Sequence, residues 1–352
     1  MHFARFVNIS NILFYLLLPS VAVFARSTSL SIAPLPFPLG SVRGHADYHL
    51  HQFANLGYDG RLLWGSAEGT ETHALRSCSG TNHGVSWMPG LVTGAFVSPE
   101  LGMHHFGTHG HQADLSRRYR DWPVWSTVTH QQAWEGWLKK AHQEGLSLIV
   151  MSAVNFRYIC GIMPRSNGYY DTAGGLPCDD MKNVRRQLEA AHAFAARNAS
   201  WYEIALSAAH ARRIIHSGKL AVILAIEASE IFNNVQSEAD LERELSTYYN
   251  LGVRSIQPVH ELNNKFGGTA YFQKMFDLVQ AFVNAKSFFS GGDNSPDDLS
   301  SALKGIQLDA QKNNVQGLTP LGKVLVRKLI ERNMIVDVAH LSTSSLQDTY
   351  NI

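Results

Sequence analysis

The chain lacks a dominant charge and long apolar segments. Its 352 residues include 30 Lys and Arg against 29 Asp and Glu, a formal charge of +1 at pH 7. This balance argues against a nucleic acid or an anionic membrane as the main partner. After residue 25 no stretch is apolar and long enough to cross a bilayer. A chain of this length with 45% hydrophobic residues can bury a large core, as one α/β barrel or two smaller domains.

The first residues have the pattern of an export signal. Arg5 precedes an apolar run from Ile12 to Ala25, which ends in the small-residue spacing of a cleavage site. The run is short for a membrane span. We therefore predict a signal peptide at residues 1–25 and a secreted protein, or a periplasmic one in a bacterial host. An uncleaved anchor is the alternative.

Cysteine is scarce, with three residues in the whole chain. Export would make them potential disulfide partners. Cys160 and Cys178 flank a loop rich in Gly, Pro and Asn and are able to close it, which would leave Cys78 over.

From residue 145 onward, short apolar runs alternate with amphipathic helical stretches. The runs lack the period of two of a half-exposed strand, as expected for a sheet buried on both faces. This alternation predicts an α/β fold with a parallel sheet and outer helices. The predicted strands are the stretch before His49 and residues 146–154, 220–226, 253–259 and 334–338. The predicted helices cover residues 131–143, 181–216 as two helices, 238–250, and 319–332, where Thr319 is the N-cap and Pro320 follows it.

Two long segments interrupt the alternation, at residues 60–129 and 288–317. Both are predicted to be loop insertions, either as substrate lids or as surface decoration. Four of the six histidines in the first insertion are interpreted as surface residues: His104, His105, His109 and His111.

The five residues Asp47-Tyr48-His49-Leu50-His51 form the most informative motif. On a strand, alternate side chains point to one face, so Asp47, His49 and His51 are expected to share it. Two imidazoles and a carboxylate in one pocket suit a borderline divalent metal such as zinc. A solvated strand end is the alternative.

Residues of the same type recur where the later strands end. The predicted third strand runs into Glu227, the fourth into His260 and the fifth into His340. In an α/β barrel, functional groups gather at these exits. The alternatives are a helix-start acid for Glu227, a polar turn for His260 and a neighbour of a helix cap for His340.

These motifs resemble the membrane dipeptidase branch (renal dipeptidase-like, M19) of the metal-dependent amidohydrolase superfamily. The matching pieces are the motif at residues 47–51, Ile226-Glu227, the segment 258–268 around His260, and the segment 317–342. The last is the most specific, since a Leu-Thr-Pro-Leu-Gly helix start is followed by a strand that ends in His-x-Ser.

The resemblance implies a (β/α)8 barrel of the TIM type that holds one or two zinc ions. It implies that His49 and His51 bind one metal, that Glu227 bridges two, and that His340 binds the second. It also implies that His260 is catalytic, contacting the substrate and the transition-state oxyanion. The metals would polarise the scissile carbonyl and activate water.

The chain departs from the family pattern in two places. The family usually has His-x-Asp on the first strand, whereas this chain has His-x-His. The sequence ends at Ile352, just after the fifth predicted strand, so we expect a partial barrel over residues 26–352, with about five of the eight βα units. The expected activity is hydrolysis of a C–N bond in a dipeptide or related small amide. The alternatives are a metal-binding pseudoenzyme and a hydrolase of lactones or phosphoesters.

Overall fold

The computed structural model describes residues 41–60, 63, 65–75, 131–162, 178–271, 279–281, 283–284 and 305–352. The predicted signal peptide, Cys78, and the histidines interpreted as surface residues (His104, His105, His109 and His111) lie outside these residues. Most of the first insertion and residues 288–304 of the second lie outside them as well. The predicted domain boundaries stay predictions.

All strand pairs in the described residues are parallel. The strands are β1 (His45–Leu50), β2 (Leu146–Asn155), β3 (Tyr202–Ile204), β4 (Leu220–Ala228), β5 (Val253–Ile256) and β6 (Ile335–Val336). They form one sheet in the order β1-β2-β4-β5-β6, and β3 pairs with the start of β4. Nearly every residue of β4 is buried, as both faces of this sheet are covered.

Helices alternate with these strands. They are α1 (Glu71–Ala74), α2 (Glu135–Gln143), α3 (Arg157–Ile162), α4 (Asp180–Arg197), α5 (Ala208–His216), α6 (Glu238–Asn250), α7 (Pro320–Glu331) and α8 (Thr343–Tyr350), with short 3-10 turns at Ala54–Leu56 and Tyr58–Gly60. The prediction of an α/β fold with a parallel sheet and alternating helices is confirmed, and the arrangement is that of a partial (β/α) barrel. None of the described helices is long and apolar enough to cross a bilayer.

Local sequence signals account for several helix starts. Thr319 accepts a hydrogen bond from the backbone N–H of Gly322, and Pro320 is the first residue of α7, as predicted. Ser237 and Asp240 form a reciprocal capping box at the start of α6.

Two predicted strands are shorter in the structure, and one observed strand was not predicted. β5 stops at Ile256 because Pro258 has no N–H for a continued ladder, so the predicted strand to residue 259 was too long. β6 has only two residues rather than the predicted five. The short β3 was missed because it lies inside the stretch that the helical pattern dominates.

The two faces of β4 have different surroundings. Leu224 and Ile226 belong to the large apolar core, together with Val184 and Leu188 of α4. Since side chains alternate along a strand, Glu227 points to the opposite face, into the concave side of the sheet. The outer core therefore holds in place the strand that carries the acidic residue.

Helix α7 is pressed against the loop that carries His260. A Cβ atom on Gly322 would lie 1.8 Å from the carbonyl oxygen of Phe266, so only glycine allows this approach. The backbone N–H of Thr319 also donates to that carbonyl, at 3.0 Å. These contacts fix the loop after β5 relative to the helix that follows it.

Candidate metal centre

The carboxylate of Glu227 lies at the centre of a cluster of imidazoles. Its side chain is 4% exposed. Oε2 is 3.1 Å from Nε2 of His49 and 3.4 Å from Nε2 of His51. Oε1 is 3.0 Å from Nε2 of His260 and 4.0 Å from Nε2 of His340. Each oxygen thus faces one pair of imidazoles.

His49 and His51 reach the carboxylate from the end of β1. Their Nε2 atoms are 3.0 Å apart. Nδ1 of His51 is 3.0 Å from the carbonyl oxygen of Ser152. A carbonyl only accepts, so this Nδ1 carries the proton and the neutral ring turns the lone pair of Nε2 toward Glu227. The carboxylate of Asp47 accepts from the backbone N–H of His49 at 2.9 Å and is not part of the donor cluster among the described residues.

His260 and His340 approach from the other side. Their ring centroids are 4.7 Å apart in an edge-to-face arrangement. His260 is the more buried of the two, with 7% of its side chain exposed against 25% for His340. Both residues lie in the segments that follow β5 and β6, and both face Oε1 of Glu227.

The charges of this cluster depend on one another. Burial raises the pKa of Glu227, but His260, His49 and His51 outweigh this effect and hold the pKa well below its usual range. Burial lowers the pKa of His260, but Glu227 outweighs it and raises the pKa. Burial, together with His260, lowers the pKa of His340 to about 4, which keeps this imidazole neutral.

The donor set fits a divalent metal. Two groups of three residues have ligand atoms within 4.8 Å of one another: His49, His51 and Glu227, and Glu227, His260 and His340. The two groups share Glu227, and neutral imidazoles with carboxylate oxygen suit zinc and its neighbours. The hydrogen bond from His51 to Ser152 orients that ring in the way typical of a metal ligand. All five predicted site residues lie together, while their roles as ligands and catalytic group stay predictions.

Sequence reasoning missed a buried acid that ties two strand exits together. Asp180 of α4 accepts from the side chain of Asn155 at 2.6 Å and from the backbone N–H groups of Arg157 at 3.0 Å and Glu230 at 2.8 Å. It therefore joins the end of β2 to the loop after β4. Its only signal in the sequence is an acidic helix start, which is too common to single it out.

Sequence reasoning also missed Glu261, the residue after His260. Its Oε1 lies 3.6 Å from Nε2 of His260, and 12% of its side chain is exposed. Its backbone has a φ of 63°, the left-handed region that non-glycine residues rarely adopt. Burial raises the pKa of its carboxyl group to about 7.

Residues 113–285 match the family model of the membrane dipeptidases, peptidase family M19. The predicted resemblance to the membrane dipeptidases is confirmed. The matched segment includes Glu227, His260 and Glu261, whereas His49, His51 and His340 lie outside it. No match was found among curated proteins.

Solved structures of metallopeptidases are similar to parts of the chain. A dipeptidase of family M19 has 15% identity, 60% coverage of this chain, 49% of its own and a TM-score of 0.37. The probable dipeptidase PvdM from Pseudomonas aeruginosa has 19% identity, 60% coverage of this chain, 42% coverage of its own chain and a TM-score of 0.39. A third structure is a metallopeptidase from Rhodobacter sphaeroides bound to a phosphinate mimic of the dipeptide L-Ala-D-Ala. It has 18% identity, 60% coverage of this chain, 51% coverage of its own chain and a TM-score of 0.37. The chain spans about half the length of these proteins or less.

Removal of the central carboxylate tests the metal site. We expect Glu227→Ala to weaken zinc binding at least tenfold, since each of the two donor groups loses its shared oxygen ligand. Mutation of a residue that only hydrogen-bonds a metal ligand already lowers metal affinity by about 10–100-fold. Competition with a chromogenic chelator measures the affinity. His192→Ala is the control, because this exposed imidazole lies away from the cluster and its hydrogen bond in the described residues is to the carbonyl oxygen of Leu251. Equal zinc affinity in both variants would contradict the assignment.

The buried Asp180 predicts a pH-dependent stability. Burial raises its pKa to about 7 from an ordinary 3.8. Between these values the folded chain retains a proton that the unfolded chain releases, so this group makes the protein less stable as pH rises from 4 to 7. The unfolding free energy of the wild type should therefore fall relative to that of Asp180→Asn as the pH rises from 4 to 7. Urea unfolding at four pH values measures it, and a constant difference would contradict the prediction.

Proposed function

We propose that the chain is a zinc-dependent hydrolase that cleaves the amide bond of a dipeptide or a related small amide. The observation that carries this proposal is the buried Glu227 carboxylate, which presents one oxygen to each of two imidazole pairs. Two adjacent donor groups that share one carboxylate suit a one- or two-metal hydrolytic site. The match to the membrane dipeptidase family supports the same reaction class.

The residues divide into those that hold the metal and one that contacts the substrate. His49, His51 and Glu227 would hold one ion, and Glu227 with His340 a second. A bound zinc ion supplies Lewis-acid polarisation of the scissile carbonyl and activation of water near neutral pH. His260 is buried against the same carboxylate and would donate an N–H to the developing oxyanion. Such a preorganised donor contributes strongly to catalysis.

We also propose that the protein is exported. The apolar run at Ile12 to Ala25 has the pattern of a signal peptide. The pairing of Cys160 with Cys178 gives independent support, because stable disulfides are typical of oxidising compartments. This disulfide joins α3 to the residues just before α4, so it stabilises the exit of β2 next to the site.

Hydrolysis of a substrate panel tests the function. The zinc-loaded protein should hydrolyse dipeptides in preference to lactones and phosphotriesters, and chelation of the metal should abolish turnover. His260→Ala should lower kcat about 100–1,000-fold, as expected for loss of an oxyanion donor, while the ion held by His49, His51 and Glu227 stays bound. His192→Ala is again the control.

Other outcomes of this panel would replace the proposal. Tight zinc binding without turnover of any amide or ester would identify a metal-binding pseudoenzyme. Preferential turnover of lactones or phosphotriesters would identify a hydrolase of another substrate class.

A further inference from the structure

Glu261 is a largely buried carboxylate next to the candidate metal centre, with 12% of its side chain exposed. Its Oε1 and the Oε1 of Glu227 both face Nε2 of His260, at 3.6 and 3.0 Å. Its Oε2 is buried and has no hydrogen-bond partner among the described residues. The side chain is therefore directed at the same atoms as the proposed catalytic site rather than at solvent.

The charge of Glu261 is poorly compensated within the described part of the chain. Its only ion-pair contact there is with His260, and that imidazole lies closer to Glu227. A buried carboxylate without a full complement of hydrogen bonds or a cation is energetically costly. A cation supplied by a ligand would remove this cost.

The local backbone holds the carboxylate in this place. Glu261 has a φ of 63°, which is strained for a residue with a Cβ. The backbone N–H of Leu262 donates to the carbonyl oxygen of His260 at 2.7 Å and so closes a tight turn around Glu261. The backbone N–H of Asn263 donates to the side-chain Oε1 of Gln280 at 2.7 Å. These two bonds hold the strained residue in place, and such strain is typical of functional positions.

We propose that Glu261 binds the free α-ammonium group of the substrate and so selects for unblocked dipeptides. This inference rests on the proposed function. In a dipeptide the amino nitrogen lies only about 2.5 Å from the scissile carbonyl carbon, since two bonds separate them. A carboxylate that recognises this ammonium group must therefore lie beside the metal centre itself, as Glu261 does.

Two other roles for Glu261 give different expectations. As a further metal ligand it would need to converge with the other donors, but neither group of ligand atoms within 4.8 Å of one another includes it. As a residue that only orients His260, it would affect all substrates alike. If Glu261 binds the ammonium group, its loss would lower kcat/KM only for substrates that carry that group.

A matched substrate pair separates these roles. Ala-Gly and propionyl-Gly differ only in the α-amino group, and kcat/KM is measured for both with wild type, Glu261→Gln and Glu261→Asp. Glutamine keeps the size and removes the charge, whereas aspartate keeps the charge. The zinc content of each protein is determined by elemental analysis.

We expect the wild type to prefer Ala-Gly and Glu261→Gln to reduce this preference at least tenfold, with unchanged zinc content. Glu261→Asp should retain part of the preference. An equal loss on both substrates, a loss of zinc, or a wild type without preference would each overturn the inference while the hydrolase assignment stands. If the wild type hydrolyses neither compound nor any other amide, the proposed function fails and this inference fails with it.

Discussion

The ion-pair cluster around Glu227 is the interaction on which the account depends. A carboxylate with 4% exposure is costly to bury, and the imidazoles of His260, His49 and His51 offset that cost. His340 completes the cluster from a third segment. Because β4 lies in the middle of the sheet, the segments at the carboxyl ends of β1, β5 and β6 converge on Glu227. The sheet order β1-β2-β4-β5-β6 is therefore what makes the donor set possible.

Much of the site was predictable because it depends on strand exits. A parallel sheet brings the carboxyl ends of its strands to one edge, so a His or Glu after each apolar run is enough to predict a cluster. His49, His51, Glu227, His260 and His340 were found in this way and lie together. The fold class followed from the same runs, because a strand buried on both faces needs no alternation of polar and apolar residues.

The rest depended on contacts that no local pattern encodes. Asp180 collects hydrogen bonds from residues 25 and 50 positions away in the chain, and nothing in its own segment specifies those partners. The position of the Glu261 carboxylate depends on a left-handed backbone conformation that the sequence alone does not reveal. The early end of β5 follows from Pro258, a local signal that the apolar run concealed.

The most direct test of the central claim is a crystal structure of the zinc-loaded protein, with anomalous diffraction data collected at the zinc absorption edge. The account predicts an anomalous peak between the Glu227 carboxylate and the imidazoles of His49 and His51, about 2.0–2.2 Å from the ligand atoms. A peak elsewhere in the chain, with these side chains still in contact with one another, would contradict it.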